Sequence, residues 1–147
     1  MEQLLLQLRT LLADNVAIGF KAHGYHWNTE SDDFEQMHRF FGGIYSDFEG
    51  ATDTYAEWLR MLKAYSPYRL TDFFDLSTVG EAVIVGDPQP MLADLYIEIE
   101  AHIAKLVEAG KIANSLSEFG LANFLADRQT ASQKWCWQIR ASIEVED

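Results

Sequence analysis

The sequence predicts an all-α protein built as a four-helix bundle. Apolar residues recur at helical spacing through most of the 147 residues, and almost no stretch alternates with the period of two that marks a strand. Between the second and third periodic stretches lies a long connection rich in Pro and Gly, and a crossover of that length lets the flanking helices run parallel. Because no repeat or linker divides the chain, we expect one domain over residues 1–147.

The first two helices are expected over residues 2–27 and 33–64. The apolar face of the first is formed by Leu4, Leu5, Leu8, Leu11, Leu12, Val16, Ile18 and Phe20. Ser31 or Asp32, in the polar turn between the helices, is expected to cap the second helix. Three glycines interrupt that helix, each at a cost of up to about 1 kcal/mol relative to Ala, which is typical of close approach by another backbone. They are Gly42, Gly43 and Gly50.

The crossover, residues 66–90, is expected to contain one short helix. Its apolar residues would be Leu76, Val79, Ala82, Val83 and Ile84. Pro90 suits the first turn of the third helix, which carries an apolar stripe from Leu92 to Leu106 and weakens at Gly110. Together with a short extra helix in the crossover, four long helices describe a bundle of ferritin-like topology.

The last helix is expected from about residue 118 to residue 143. Ser115 and Glu118 have the spacing of a capping box before it. Four of its apolar residues are expected to point inward: Leu121, Leu125, Trp135 and Ile139.

Composition narrows the class of protein. Hydrophobic residues make up 48% and aromatic residues 13% of the chain, which excludes disorder. The net charge is −12, from 23 acidic and 11 basic residues. Such a charge opposes unassisted binding to nucleic acid and favours attraction of metal cations, although an acidic surface is equally ordinary for a soluble protein.

A single cysteine, Cys136, excludes an internal disulfide and indicates a reducing compartment, where it is expected to pack in the core. No signal peptide is expected, since Glu2 and the amphipathic pattern follow Met1 directly. No apolar run reaches the roughly 18 residues of a membrane span. We therefore expect a cytoplasmic protein without a membrane partner.

Four side chains form a ligand set suited to a first-row transition metal such as iron: His26, His38, Asp53 and Glu57. His38 and Asp53 lie on one predicted helix, so they would stand roughly 22 Å apart at about 1.5 Å per residue. One chain cannot close the four groups around one metal through that helix, whereas a second copy running antiparallel across a two-fold axis can. Any site made of these four residues is therefore expected between subunits.

Other chemistries have weaker support. His23 and His26 are three residues apart and remain an alternative metal clasp on one helix face. Glu35 and His38 form the only Glu-x-x-His motif, so a di-iron site inside one bundle lacks ligands. No Gly-x-Ser-x-Gly elbow and no glycine-rich phosphate loop occur, which argues against nucleophilic and nucleotide-dependent enzymes.

The pattern of these residues resembles the signature of the Dps family of mini-ferritins. The matching residues are His26-Trp27, Phe34, His38, Asp53 and Ala56-Glu57. The run from Phe20 to Trp27 is also similar to that family's first long helix, and the likeness continues through the short middle helix into the last helix around residues 134–137. The resemblance covers most of the chain.

The resemblance implies a four-helix subunit that assembles as a hollow homododecamer. It also implies a ferroxidase in which His26 and His38 come from one subunit and Asp53 and Glu57 from its mate. Family members bind Fe(II) there, oxidise it with hydrogen peroxide or oxygen, and store Fe(III) mineral. The same side chains could bind other divalent metal ions such as Zn²⁺. Two-electron reduction of peroxide yields water instead of hydroxyl radical, which protects against oxidative damage.

Departures from the family pattern keep a second function open. Many members carry Asp four residues after the second histidine, where this chain has Gly42, and Arg39 replaces an acidic residue found in some members. Gly120 and Asn123 stand where acidic residues often line the entry pore, which leaves Glu118 and Asp127 as candidates. The alternative is a Dps-like cage that sequesters metal or has a structural role, with little ferroxidase activity.

DNA binding, a second activity of the family, is expected to be absent. The chain shows no Lys-rich tail and ends in Glu144-Val145-Glu146-Asp147. Twelve copies at −12 each would carry about −144, and phosphate would be repelled. Tight complexes in a gel shift at low magnesium would contradict this expectation.

Overall fold

The computed structural model describes residues 1–82 and 86–143, and these residues form five helices. The helices are α1 (Glu2–Asn28), α2 (Phe34–Met61), α3 (Leu70–Leu76), α4 (Pro88–Ser115) and α5 (Phe119–Ser142). In the described part of the chain, the only β pairing is an isolated parallel bridge between Thr29 and Gly86. The predicted all-α bundle with a short extra helix in the crossover is confirmed.

The four long helices pack as two antiparallel hairpins. Short turns join α1 to α2 and α4 to α5, and each of these pairs packs along its length. α1 also packs antiparallel to α4: Tyr25 donates a hydrogen bond to Asp94 at 2.5 Å, and Lys105 donates to Asp14 at 2.9 Å near the middle of the two helices. α2 and α4 therefore run parallel, as the long crossover predicts.

The core contains two apolar clusters, one toward each end of the bundle. The first joins the start of α1, the end of α2, the end of α4 and the start of α5. The second joins the remaining halves of the same four helices. Between them lies a band of buried polar side chains: Asp14, Asn15, His102, Arg128 and Ser132.

The short crossover helix lies earlier than predicted. It spans Leu70–Leu76, so the predicted helix through Val79 and Ala82 is wrong, while Val83 and Ile84 lie outside the described residues. Asp72 starts the helix by accepting hydrogen bonds from the backbone and guanidinium of Arg69.

Asp14, buried on α1, holds the chain that follows this helix. Its carboxylate accepts hydrogen bonds from the Thr78 backbone N–H at 2.6 Å, the Thr78 hydroxyl at 2.8 Å and the Ser77 hydroxyl at 3.1 Å. Ser77 is extended, with ψ of 140°, so the helix cannot continue past Leu76.

Helix starts also differ from the sequence predictions. α4 begins at Pro88, two residues before Pro90, because the Asp87 carboxylate caps it by accepting from the Gln89 backbone N–H at 3.0 Å. Asp33, not Ser31 or Asp32, is the N-cap residue of α2.

At α5 the predicted capping box is absent. Ser115 ends α4, and its hydroxyl donates to the Ile112 carbonyl at 2.7 Å. Two side chains predicted to lie on buried apolar faces are not fully buried: Phe20 is 67% exposed and Trp135 is half-buried.

Candidate metal centre

His26 and His38 lie side by side at one end of the α1–α2 hairpin. His26 belongs to the last turn of α1, and His38 lies four residues into α2. The short turn between the helices brings the two imidazole rings into a stack, with centroids 3.6 Å apart and planes inclined by 16°. The structure thus brings together two of the four predicted ligands.

Each histidine is anchored by the backbone of the other. His26 Nδ1 lies 2.5 Å from the His38 carbonyl oxygen, and His38 Nδ1 lies 2.6 Å from the His26 carbonyl oxygen. A carbonyl only accepts, so both Nδ1 atoms carry a proton and donate it. In each neutral ring Nε2 is then the nitrogen with a free lone pair, which is the arrangement usual for a metal-binding histidine.

Gly42 makes room for this arrangement. A Cβ atom at position 42 would lie 2.9 Å from His26 Nδ1 and 3.1 Å from His26 Cε1, so the ring would have to shift. Gly43 has a similar function on the other side, where a Cβ would lie 3.2 Å from the ring of Trp135. The two glycines let the His26 ring and the α5 tryptophan approach the α2 backbone.

The histidine pair opens onto a surface cleft of about 690 Å³. His23 lies in this cleft with its ring between those of Tyr45, at 3.7 Å, and Trp27, at 4.0 Å. Its centroid is 5.9 Å from that of His26. A hydrogen bond to Glu49 raises the pKa of Tyr45 from its ordinary value, so that phenol stays protonated at neutral pH.

Asp53 and Glu57 lie elsewhere on the same chain. Both are exposed on α2, one helical turn apart. Because α2 is continuous from Phe34 to Met61, His38 and Asp53 are separated by about 22 Å along its axis. Within residues 1–82 and 86–143, no three His, Cys, Asp or Glu side chains are grouped so that they could hold a metal ion.

The sequence also singled out three carboxylates and one thiol: Glu35, Glu118, Asp127 and Cys136. Glu35 is exposed on α2, outside the bundle core. Cys136 is buried, and burial raises the pKa of its thiol to about 12, so the reactive thiolate is not available near neutral pH. Asp127 is exposed and Glu118 is half-buried at the start of α5.

Sequence reasoning missed two contributors to this cleft. Tyr45 stacks on His23, whereas an aromatic residue at helical spacing on α2 is most simply read from the sequence as core packing. The role of Gly42 beside the His26 ring was also missed. A glycine one turn after a candidate ligand in a helix is a signal that the backbone is approached closely there.

Among the described helices, none combines the length and the apolar character that a membrane span requires.

Comparison with known proteins gives consistent matches over nearly the whole chain. The sequence model of the ferritin-like domain matches residues 5–145. A DNA protection during starvation protein of Helicobacter pylori is 24% identical over 139 residues, covering 92% of this chain and 95% of that protein.

Two solved structures illustrate the similarity of fold. Dps from Staphylococcus aureus superposes with a TM-score of 0.93 at 20% identity, over 99% of this chain and 98% of that one. Dps from Vibrio cholerae O1, described as a member of a broad superfamily of ferritin-like diiron-carboxylate proteins, gives 0.91 at 21% identity over 95% and 88%.

Proposed function

Because this chain belongs to the ferritin-like domain family and the members it matches include Dps proteins, we propose that it is an iron-binding mini-ferritin that oxidises Fe(II). His26 and His38 of one subunit and Asp53 and Glu57 of a second subunit hold the metal ion. The observation that carries the proposal is the anchored histidine pair, whose two Nε2 atoms are left for a ligand at the edge of a surface cleft.

The need for a second subunit follows from distance. His38 and Asp53 are about 22 Å apart along the axis of α2, and Glu57 lies one turn farther, so neither pair completes a site within its own chain. In an antiparallel copy related by a two-fold axis, the carboxylate segment of α2 lies against the histidine end of its partner. Such symmetry creates two equivalent sites at each interface.

Exposed apolar side chains support assembly. Leu70 and Phe74 on α3 are 90% and 74% exposed, and Phe20 on α1 is 67% exposed. Large apolar side chains grouped at a surface usually mark an interface between proteins. We propose that they are covered in a homo-oligomer, a hollow dodecamer in which Fe(III) is stored as mineral.

The proposed ligands suit the reaction. Imidazole nitrogens bind Fe(II), and the two carboxylates offset the charge that increases when the ion becomes Fe(III). Each Fe(II) gives up one electron, so two ions reduce one hydrogen peroxide, with two protons, to two water molecules. Oxygen is an alternative oxidant. Iron is here the substrate and cargo, and zinc or another divalent ion is expected to compete for the same ligands.

Gly42 favours a second candidate function, a cage that sequesters metal and oxidises it slowly. This residue brings no carboxylate to the side of His38, so each site has fewer oxygen ligands for a second ion. In that case metal would bind at the histidine pair without rapid oxidation after peroxide is added. The rate of Fe(II) oxidation therefore separates the two functions.

Composition supports proposals for the cellular location of the protein and for its behaviour toward DNA. A single cysteine is typical of a reducing compartment, so we place the protein in the cytoplasm. The net charge of −12 repels phosphate, so we expect no DNA complex at physiological salt.

The test is the double variant His26→Ala/His38→Ala. Fe(II) oxidation after peroxide addition is followed by the near-ultraviolet absorbance of Fe(III), and we expect the rapid phase to slow by about 100-fold because both nitrogen ligands are lost. Sizing of both proteins shows whether assembly is kept.

The matched control is His23→Ala, a histidine of the same cleft outside the proposed ligand set. It is expected to keep the rapid phase. Unchanged kinetics in the double variant would disprove the assignment. A loss in His23→Ala as large as in the double variant would favour the His23/His26 clasp instead.

A further inference from the structure

The centre of the bundle contains three buried polar side chains at positions where apolar residues are expected. Asn15 of α1, His102 of α4 and Ser132 of α5 are each no more than 1% exposed. His102 occupies the apolar stripe of α4 between Ile99 and Leu106, both of which are fully buried. These three residues lie where the first apolar cluster of the core ends and the second begins.

Contacts place the three at the same level of the bundle. Asn15 Nδ2 donates a hydrogen bond to the Phe48 carbonyl at 2.8 Å, and the Phe48 ring lies 5.8 Å from that of His102. The guanidinium of Arg128 lies 5.3 Å from the same Phe48 ring, and Ser132 follows Arg128 by one helical turn. α4 and α5 form an antiparallel hairpin, and Ser132 is as many residues past the start of α5 as His102 is before the end of α4, so the helical rise puts both at about the same level.

Several polar atoms of this layer have no hydrogen-bond partner in the protein. Among the described residues, none bonds to Asn15 Oδ1, to either ring nitrogen of His102 or to Ser132 Oγ. A neutral imidazole has one N–H that donates a hydrogen bond and one nitrogen that accepts one, so it needs a partner for each. Buried polar atoms almost always have such partners. Burial lowers the pKa of His102 to about 4, so the ring is neutral at physiological pH.

The charged groups around this layer determine which class of ligand it can bind. Lys105 and Arg128 oppose a cation, and the layer offers one imidazole with two neutral oxygens, a poor ligand set for a metal. The Asp14 carboxylate opposes an anion. An uncharged ligand that both donates and accepts hydrogen bonds can pair with the polar atoms that lack partners.

We propose that the centre of the bundle is a binding site for ordered water, hydrogen-bonded between Asn15, His102 and Ser132. Buried water of this kind normally bridges otherwise unpaired polar groups and forms part of the folded structure. The site is built from α1, α4 and α5, so its water ties three helices together between two apolar clusters. It is independent of the iron site, and the His26→Ala/His38→Ala variant is expected to keep it.

A crystal structure at a resolution that resolves ordered water tests the site directly. We expect density within hydrogen-bonding distance of a His102 ring nitrogen and of Asn15 Oδ1. Crystals soaked in Zn²⁺ supply a second readout, because anomalous scattering identifies a metal. A layer without density, or an anomalous peak inside it, would overturn the proposal.

A pair of serine variants tests the same site by stability. Ser132→Ala removes a hydroxyl from the layer, whereas Ser46→Ala removes an exposed hydroxyl from the middle of α2 and reports the gain from helix propensity alone. If water bonds to Ser132, its variant melts about 2 to 4 °C below the Ser46 variant. If the hydroxyl is dry and unpaired, removing it raises the melting temperature above that of the control, and the proposal fails.

Discussion

Gly42 determines how closely the His26 ring approaches α2. The closest ring atom lies 2.9 Å from where the Cβ of any other residue would be, and this placement lets His26 Nδ1 reach the His38 carbonyl. Glycine in the interior of a helix costs up to about 1 kcal/mol, so the chain gives up helix stability for this position. A residue with a side chain here would change the candidate site before it changed the fold.

Gly42→Ala is therefore expected to displace the His26 ring and break its bond to the His38 carbonyl. We expect metal affinity at the pair to fall by about 10- to 100-fold, the usual cost of losing the group that orients a ligand, while the helix content is kept. Titration with Zn²⁺ and circular dichroism measure the two effects.

Gly50→Ala is the matched control. Gly50 lies on the same helix, and a Cβ there meets no neighbouring atom within 4 Å. It should leave metal affinity unchanged and stabilise the protein by up to about 1 kcal/mol. Equal metal affinity in both variants would show that the ring position does not depend on Gly42.

His102 is expected to make stability depend on acid pH. The charged groups near it are Asp14 on α1, Lys105 on its own helix and Arg128 on α5, whereas α2 presents the uncharged Phe48 ring. The unfolded chain binds the proton near pH 6.5, and the folded chain only near pH 4, because burial disfavours the charged ring. Stability therefore falls as the pH drops from about 6.5 to about 4, by up to about 3 kcal/mol.

Replacing His102 with Leu should remove this part of the pH dependence. The free energy of unfolding, measured across that range, is expected to fall less steeply in His102→Leu than in the unchanged protein. Parallel profiles for the two proteins would contradict the assignment of the effect to His102.

Between elements, one carboxylate on α2 makes the polar contact with α5, beside the apolar packing of the core. Asp47 accepts two hydrogen bonds from the Arg128 guanidinium, at 2.9 and 3.0 Å, and a third from Trp135 Nε1 at 2.8 Å. Burial alone would raise the pKa of Asp47, but the hydrogen bonds from Arg128 and Trp135 and the guanidinium charge outweigh it and lower the pKa. The carboxylate thus stays ionised and links the two helices.

Asp47→Ala is expected to destabilise the fold by about 2 to 3 kcal/mol, because the largely buried Arg128 loses its only carboxylate partner in the described residues. Chemical denaturation measures the loss. Glu108→Ala is the control, since its ion pair with Lys111 is exposed on both sides and its removal should change stability by no more than about 0.5 kcal/mol. Equal losses in the two variants would disprove the role of the buried contact.

At the scale of the whole molecule, α3 presents apolar side chains to solvent. Leu70 is 90% exposed and Phe74 is 74% exposed, and Tyr68 just before the helix is 82% exposed. The helix packs against α1 through its other side. We propose that a subunit interface covers this surface, since large exposed apolar side chains usually mark an interaction site.

The double variant Leu70→Glu/Phe74→Glu is expected to assemble into smaller species, because charge would have to be buried at the proposed interface. Sedimentation velocity measures the mass, and circular dichroism checks that the helices remain. Thr71→Glu, an exposed polar position on the same helix, serves as the control. A double variant with the mass of the unchanged protein would show that this surface is not an interface.

Much of the architecture follows from local patterns. Helical periodicity is a property of neighbouring residues, so it predicted four long helices to within a few residues, and the motif around His26 and His38 predicted a family that the ferritin-like domain match confirms. The roles of His26, His38, Asp53 and Glu57 remain predictions, because the two histidines lie at the α1–α2 turn and the two carboxylates lie farther along α2.

The sequence by itself determined the helical class, the crossover and the ligand candidates, since each depends on residue type and spacing. Tertiary structure decided what depends on contacts between distant residues. Asp14 bonds to Ser77 and Thr78, more than 60 positions away, and so sets where the crossover helix ends. Backbone carbonyls likewise orient the two imidazoles, and packing alone shows that His102 lies between two apolar clusters. No local pattern records these contacts, because each forms only after the helices have packed.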